Sequence, residues 1–200
     1  MTLDQILHVQ KRIGTTVDGW WGPKSTAKCQ EYLRAMMPHP HPFPKQSRVE
    51  DFYGPHGVSG GFEPPRKEIK LPFPIYYTDD NGVSVIWKLR PHEKCADSLL
   101  RVFERLDAAF PTDADKRIAG ILNYDGLYNP RPMRGGSAWS MHSWAIAIDL
   151  DAAVNGNTQH WPTSAMMPLE VMECFAREGW TSAGAFWSRD AMHFQALAPN

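Results

Sequence analysis

The chain predicts an α+β fold, with a small antiparallel sheet flanked by helices and preceded by a small helical module. Three observations carry that expectation. Short runs suited to strands occur at Ile75 to Thr78, Val83 to Leu89, Ala145 to Leu150 and Ala191 to Leu197. Longer runs with apolar residues at helical spacing occur at His92 to Ala109 and Pro168 to Glu178. The two kinds of element mix without a regular β-α-β alternation, which favours an antiparallel sheet over a parallel one.

In chain order, Leu3, Ile6, Leu7, Gln10 and Ile13 follow a helical spacing and Gly14 can end that helix. Ser25 can cap a second helix carrying Ala27, Tyr32, Leu33 and Met36, so residues 1–37 form a short helical module. From Pro38 to Pro44 prolines alternate with His39, His41 and Phe43, as in an extended linker, with metal binding by the histidines as the alternative. Residues 45–72 are rich in Gly, Pro and charge and read as irregular, draped over the unit that follows. That unit, 73–200, starts with a hairpin around Asp80-Asn81-Gly82. The helix from His92 buries Leu99, Leu100, Val102, Phe103 and Leu106, and Arg117 to Asn123 reads as another strand. No internal repeat is apparent.

Composition narrows the classes of function. Two hundred residues with 42% hydrophobic content can bury one substantial core and a small satellite. A net charge of −1 supplies no basic field for nucleic-acid phosphates. No segment approaches the roughly 18 apolar residues of a membrane span, so no membrane insertion is expected. The start, Met1-Thr-Leu-Asp-Gln, has no basic segment leading into an apolar one, so no signal peptide is expected. Cys29, Cys95 and Cys174 are odd in number and outside any ligand spacing, as free thiols of a reducing compartment would be.

The chemistry lies in Ser140-Met-His142-Ser-Trp-Ala-Ile-Ala-Ile-Asp149 and, downstream, Asp190-Ala-Met-His193. A catalytic zinc takes three protein ligands and keeps a fourth position for water. His142, Asp149 and His193 supply that count. On a strand from Ala145 to Leu150, Ile146, Ile148 and Leu150 share one face, and Ala145, Ala147 and Asp149 the other, where two small residues leave room for a metal. Asp151 is the competing carboxylate of the same face. On a strand from Ala191, His193 and Gln195 face away from Met192 and Phe194. Asp190 then needs a turn to bring its carboxylate back towards a metal-bound water, where it can act as general base and then as general acid. These residues point to a metal-dependent hydrolase.

Ser-x-His-x-x-Gly-x-Ala-x-Asp followed by Asp/Glu-x-x-His resembles the zinc peptidases of the D-alanyl-D-alanine carboxypeptidase and VanY type, which include phage L-alanyl-D-glutamate endopeptidases. Ser140, His142, Ala147 and Asp149 fit, whereas Ala145 stands where the family usually has Gly. The resemblance covers roughly residues 118 to 197. It implies a hedgehog or D,D-peptidase-like fold holding zinc on His142, Asp149 and His193, with catalysis by Asp190. It also implies an arginine upstream of the first ligand for the scissile carbonyl or the substrate carboxylate, a role for which Arg131 and Arg134 compete. Ser140 can cap its turn or bind substrate. Trp187 or Trp144 can wall the pocket, although such tryptophans are more often core.

Val17-Asp-Gly-Trp-Trp-Gly-Pro-Lys-Ser-Thr resembles the loop of the small helical peptidoglycan-binding module, matched at Asp18, Gly19, Trp21, Gly22, Pro23 and Thr26. Trp21 is then a candidate glycan-binding residue, or an internal anchor together with Trp20. The combined expectation is a phage-type endolysin, monomeric, that cuts the stem peptide of bacterial peptidoglycan and waits in the host cytoplasm until release. A D,D-carboxypeptidase releasing terminal D-alanine is the related alternative. A non-catalytic wall-binding protein with a structural zinc is the alternative from another class.

Overall fold

A computed structural model describes residues 3–133 and 135–200. It is α+β, with two small antiparallel sheets and flanking helices. Helix α1 (Leu3–Ile13) turns its buried Val9, Gln10 and Ile13 inward and gives way to Gly14 at φ +71, a left-handed position that glycine takes without steric cost. Helix α2 (Pro23–Met36) starts at Pro23, whose missing N–H is one that the first turn would leave unpaired. Ser25, expected as the cap, instead lies buried inside the helix, and Gly22 is the capping residue.

The helix pair packs on the rest of the chain. Val9, Ile13, Cys29 and Leu33 join the same buried cluster as the sheet residues, and Arg12 holds the buried Glu173 through two 2.9 Å bonds, with Tyr32 adding a third at 2.8 Å. Residues 38–44 also lie on the fold, since Phe43 is buried edge-on to Trp180. Burial pushes the Cys29 thiol up to about 12, so it stays protonated, and all three cysteines are free and buried.

Residues 45–72 are more ordered than composition suggests. They contain α3 (Val49–Tyr53) and the start of β1 (Ile69–Asp79), which pairs with β2 (Gly82–Leu89). Pro72 and Pro74 have no N–H to donate, and the register shifts between Lys70 and Ile75, where they sit. The strand thus passes through two prolines by a bulge, which a reading by composition takes for a loop.

Helix α4 (Glu93–Ala109) is capped by His92, whose Nδ1 accepts from Lys94 N at 3.1 Å. The strand expected over 117–123 is absent. Helix α5 (Asp113–Ile118), begun by a reciprocal capping box between Thr112 and Asp115, ends within that range, turns follow it, and β3 (Tyr124–Gly126) starts just after. The second sheet adds β4 (Ala147–Leu150), β5 (Thr181–Ser182) and β6 (His193–Gln195) in the order β3-β4-β6-β5. Short helices α6 (Ala152–Asn155) and α8 (Ala183–Trp187) and the apolar α7 (Leu169–Ala176) surround it. Among the described residues no helix is long and apolar enough to cross a membrane.

Candidate metal centre

The two central strands of the second sheet build the site. Ile148 pairs with Phe194 and Asp149 with His193, so the ligand candidates leave one face while Ile148 and Phe194, both fully buried, enter the core from the other. Asp149 Oδ1 lies 2.9 Å from His193 Nδ1.

His142 arrives from a 3-10 turn, Met141–Trp144, capped by the Ser140 hydroxyl, which accepts from His142 N at 3.4 Å. The turn closes at Ala145, fully buried with φ +57, so the strand starts two residues later than the alternation suggests. A left-handed alanine costs about 1–2 kcal/mol relative to its right-handed form, whereas glycine adopts that conformation freely. This is the physical reason that a glycine suits the position.

His142 Nε2 stands 3.2 Å from Asp149 Oδ2 and 3.3 Å from His193 Nδ1, and the three donor atoms lie within 4.8 Å of one another. The other ring nitrogens are engaged: His142 Nδ1–H donates to the Leu127 carbonyl at 3.1 Å and His193 Nε2–H to Gln195 Oε1 at 3.3 Å. With these N–H groups committed outward, two imidazole lone pairs and a carboxylate converge on one buried point. That donor set fits a metal ion, and zinc in its chemistry. Burial acts to raise the Asp149 carboxyl, but where inward ring N–H groups of His142 and His193 stand in for a cation, their hydrogen bonds and charge outweigh it and hold the group well below the usual carboxylate range.

Asp190 sits beside this set without joining it. Its φ is +58 and its carbonyl accepts from His193 N at 3.0 Å, so the turn needed to bring it round is present. The Asn157 side-chain amide lies against Asp190, and with the amide turned so that its nitrogen rather than its oxygen faces the carboxylate, as hydrogen bonding to a carboxylate requires, it donates to both oxygens at 2.9 and 3.1 Å. Burial pushes the Asp190 carboxyl above its ordinary range; the His193 charge opposes this and the Asp149 charge adds to it.

The other expected residues are placed unequally. Trp187 is 42% exposed with its ring 5.9 Å from that of His193, at the mouth of the site. Trp144 is buried and donates to Gly54 O, so it walls no pocket. Arg131 has its backbone N–H on Ser143 Oγ, within the turn that carries His142, but its guanidinium donates to the Pro132 carbonyl at 3.3 Å. Arg134 lies outside the described residues. Trp21 packs edge-on against Trp161, with ring centroids 5.4 Å apart. Asp151 lies beyond the end of β4 with φ +54 and accepts from Asn123 Nδ2, so strand alternation no longer governs where it points.

Gln195, Asn157 and the Leu127 carbonyl are partners that motif reading misses. Gln195 shares a strand face with His193 two residues away, so alternation alone could have found it. Asn157 has no such signal, because only the folded loop brings it to Asp190. Gln195→Leu is expected to weaken zinc affinity about 10- to 100-fold by freeing the His193 tautomer, measured by competition with a chelating dye.

No curated protein and no solved structure shows a significant match to the chain. Residues 134–196 match the family model described as D-alanyl-D-alanine carboxypeptidase. That stretch is roughly a third of the chain, yet it holds His142, Asp149, His193, Asp190, Ser140 and Trp187. The part of the molecule that carries the metal centre is thus similar to the D-alanyl-D-alanine carboxypeptidases, which supports a zinc peptidase.

Proposed function

We propose that the protein is a zinc peptidase that hydrolyses the stem peptide of bacterial peptidoglycan, as a phage-type endolysin. One observation carries the reading: three convergent ligands, His142, Asp149 and His193, with a separate carboxylate, Asp190, beside them. A structural zinc usually has four protein ligands, whereas three leave a position for water. Zinc bound there would polarise the scissile carbonyl and lower the pKa of its water. Asp190 accepts the proton of the attacking water and returns it to the departing amine, a task suited to a carboxyl whose pKa is raised by burial. Asn157 holds both Asp190 oxygens and so orients them. Arg131, or Arg134 in its place, turns to the substrate carbonyl or carboxylate, and Trp187 flanks the bound peptide.

Residues 1–37 serve as the wall-binding module, tethering the catalytic unit to an insoluble polymer and raising its local concentration. The D,D-carboxypeptidase reading also has support, because it is the description under which residues 134–196 match. Mass spectrometry of digested sacculi separates the two. Stem peptides cut at an internal bond are the expected products; free D-alanine alone would establish the carboxypeptidase, and intact muropeptides would overturn both.

A further inference from the structure

The amino-terminal helices reach the catalytic turn through α8. Like those at any helix end, the last carbonyls of α8 have no partner within the helix. Gln30 of α2 supplies one from outside: its Nε2 donates to the Ala185 carbonyl at 3.2 Å and to the Phe186 carbonyl at 3.3 Å. One turn further along α2, the Arg34 guanidinium lies 4.9 Å from the centre of the Phe186 ring. We infer that Gln30 is a positioning residue for the reaction, fixing the end of α8 and with it the turn that carries Trp187 and Asp190. The role rests on the wall-hydrolase reading above, because it acts through Asp190.

Helix α8 ends at Trp187, and only Ser188 and Arg189 separate that residue from Asp190. Within this short span Ser188 has φ +59 and Asp190 φ +58, left-handed backbone that a residue with a side chain keeps only where its surroundings hold it. The holding contacts come from both ends of the turn. Trp161 N donates to Ser188 O at 3.1 Å and His160 forms a β-bridge with Arg189, so one loop secures the later part. Gln30 secures the earlier part. Trp161 is itself buried and packs edge-on against Trp21, just before α2, so the amino-terminal segment touches both anchors.

A hydrogen bond that merely joins two elements tolerates any side chain that fills its space. Gln30 does more, because its two N–H groups occupy the acceptors that a longer α8 would use. Were the helix to continue, the Ala185 and Phe186 carbonyls would take the backbone N–H groups of Arg189 and Asp190, four residues on. That conformation unwinds the turn, moves Trp187 off the His193 ring and carries Asp190 away from the metal ligands. Displacing a catalytic group by about 1 Å can cost on the order of 10²-fold in rate.

Gln30→Met keeps the length of the side chain and removes both donors, whereas Gln30→Lys keeps a donor whose charge suits a helix C-terminus. In the full zinc-loaded chain, Gln30→Met is expected to keep stoichiometric metal, to cut sacculi about tenfold or more slowly, and to shift the Trp187 indole N–H resonance, identified by its loss in Trp187→Phe. Gln30→Lys should restore both the rate and the resonance. If Gln30→Met melts at a lower temperature, Gln30→Glu, of the same shape with acceptors in place of the donors, is read in the same way. A wild-type rate with an unmoved Trp187 signal in the donor-free variant would overturn the assignment, as would a Gln30→Lys protein that melts normally and is as slow as Gln30→Met. The two readings fail separately. A wild-type chain that cuts no stem peptide refutes the hydrolase while the Trp187 resonance still decides whether Gln30 holds the turn, and a chain that cuts equally well without the donors keeps the hydrolase and removes Gln30.

Discussion

Asp190→Ala is expected to retain stoichiometric zinc and to lose cleavage of sacculi by about 10²- to 10⁴-fold, the usual share of a positioned acid-base group. The separation is possible because Asp190 is outside the group of three converging donors, while the ligands keep their own outward partners in Leu127 and Gln195. Metal content by atomic absorption and lytic rate on purified sacculi read the two halves. Lysis at the wild-type rate would remove Asp190 from the mechanism, and loss of zinc would make it a ligand. Asn157→Ala should give the same pattern with a smaller loss, because the carboxylate remains but is no longer held at both oxygens. His193→Ala should lose metal and lysis together, which distinguishes a ligand from a base.

Phe194→Ala should cost about 3–5 kcal/mol of stability, the range for emptying an aromatic site in a core. Phe194 is fully buried, stacks on Phe175 with centroids 3.8 Å apart, and pairs with both Ile148 and Ser182 across the sheet. No nearby side chain is free to fill the space, since Phe175 and Ile148 are themselves fully buried. Total stabilities of about 5–15 kcal/mol make this loss a large fraction of what holds the fold. Thermal unfolding with chelator present measures it without the contribution of bound metal. A shift of only a degree or two would mean that the strand carrying His193 is not anchored through its apolar face.

The grouping of Asp149 and His193 on one sheet face was legible because β-strand alternation is a local rule. His193 and Gln195 face away from Phe194, and Asp149 faces away from Ile148 and Leu150, as the pattern of apolar residues requires. The same rule misled at both ends of β4, where Ala145 and Asp151 adopt left-handed backbone and the alternation stops. Over Arg117 to Asn123 the end of α5 and the turn after it, closed by backbone bonds from Gly120 and Ile121 to Arg117 and Lys116, replaced the expected strand, and in β1 a bulge carried two prolines that composition assigns to a loop. Each departure is a case of backbone hydrogen bonding deciding what side-chain pattern leaves open.

Residue type and spacing within single elements are enough to give the α+β class and to single out His142, Asp149, His193 and Asp190 as candidates. That Asp149 and His193 are cross-strand partners, that Asn157 lies against Asp190, and that Trp21 meets Trp161 is visible only in the folded chain. Those contacts join residues far apart along the chain, and their register is set by packing of the whole core rather than by any local periodicity.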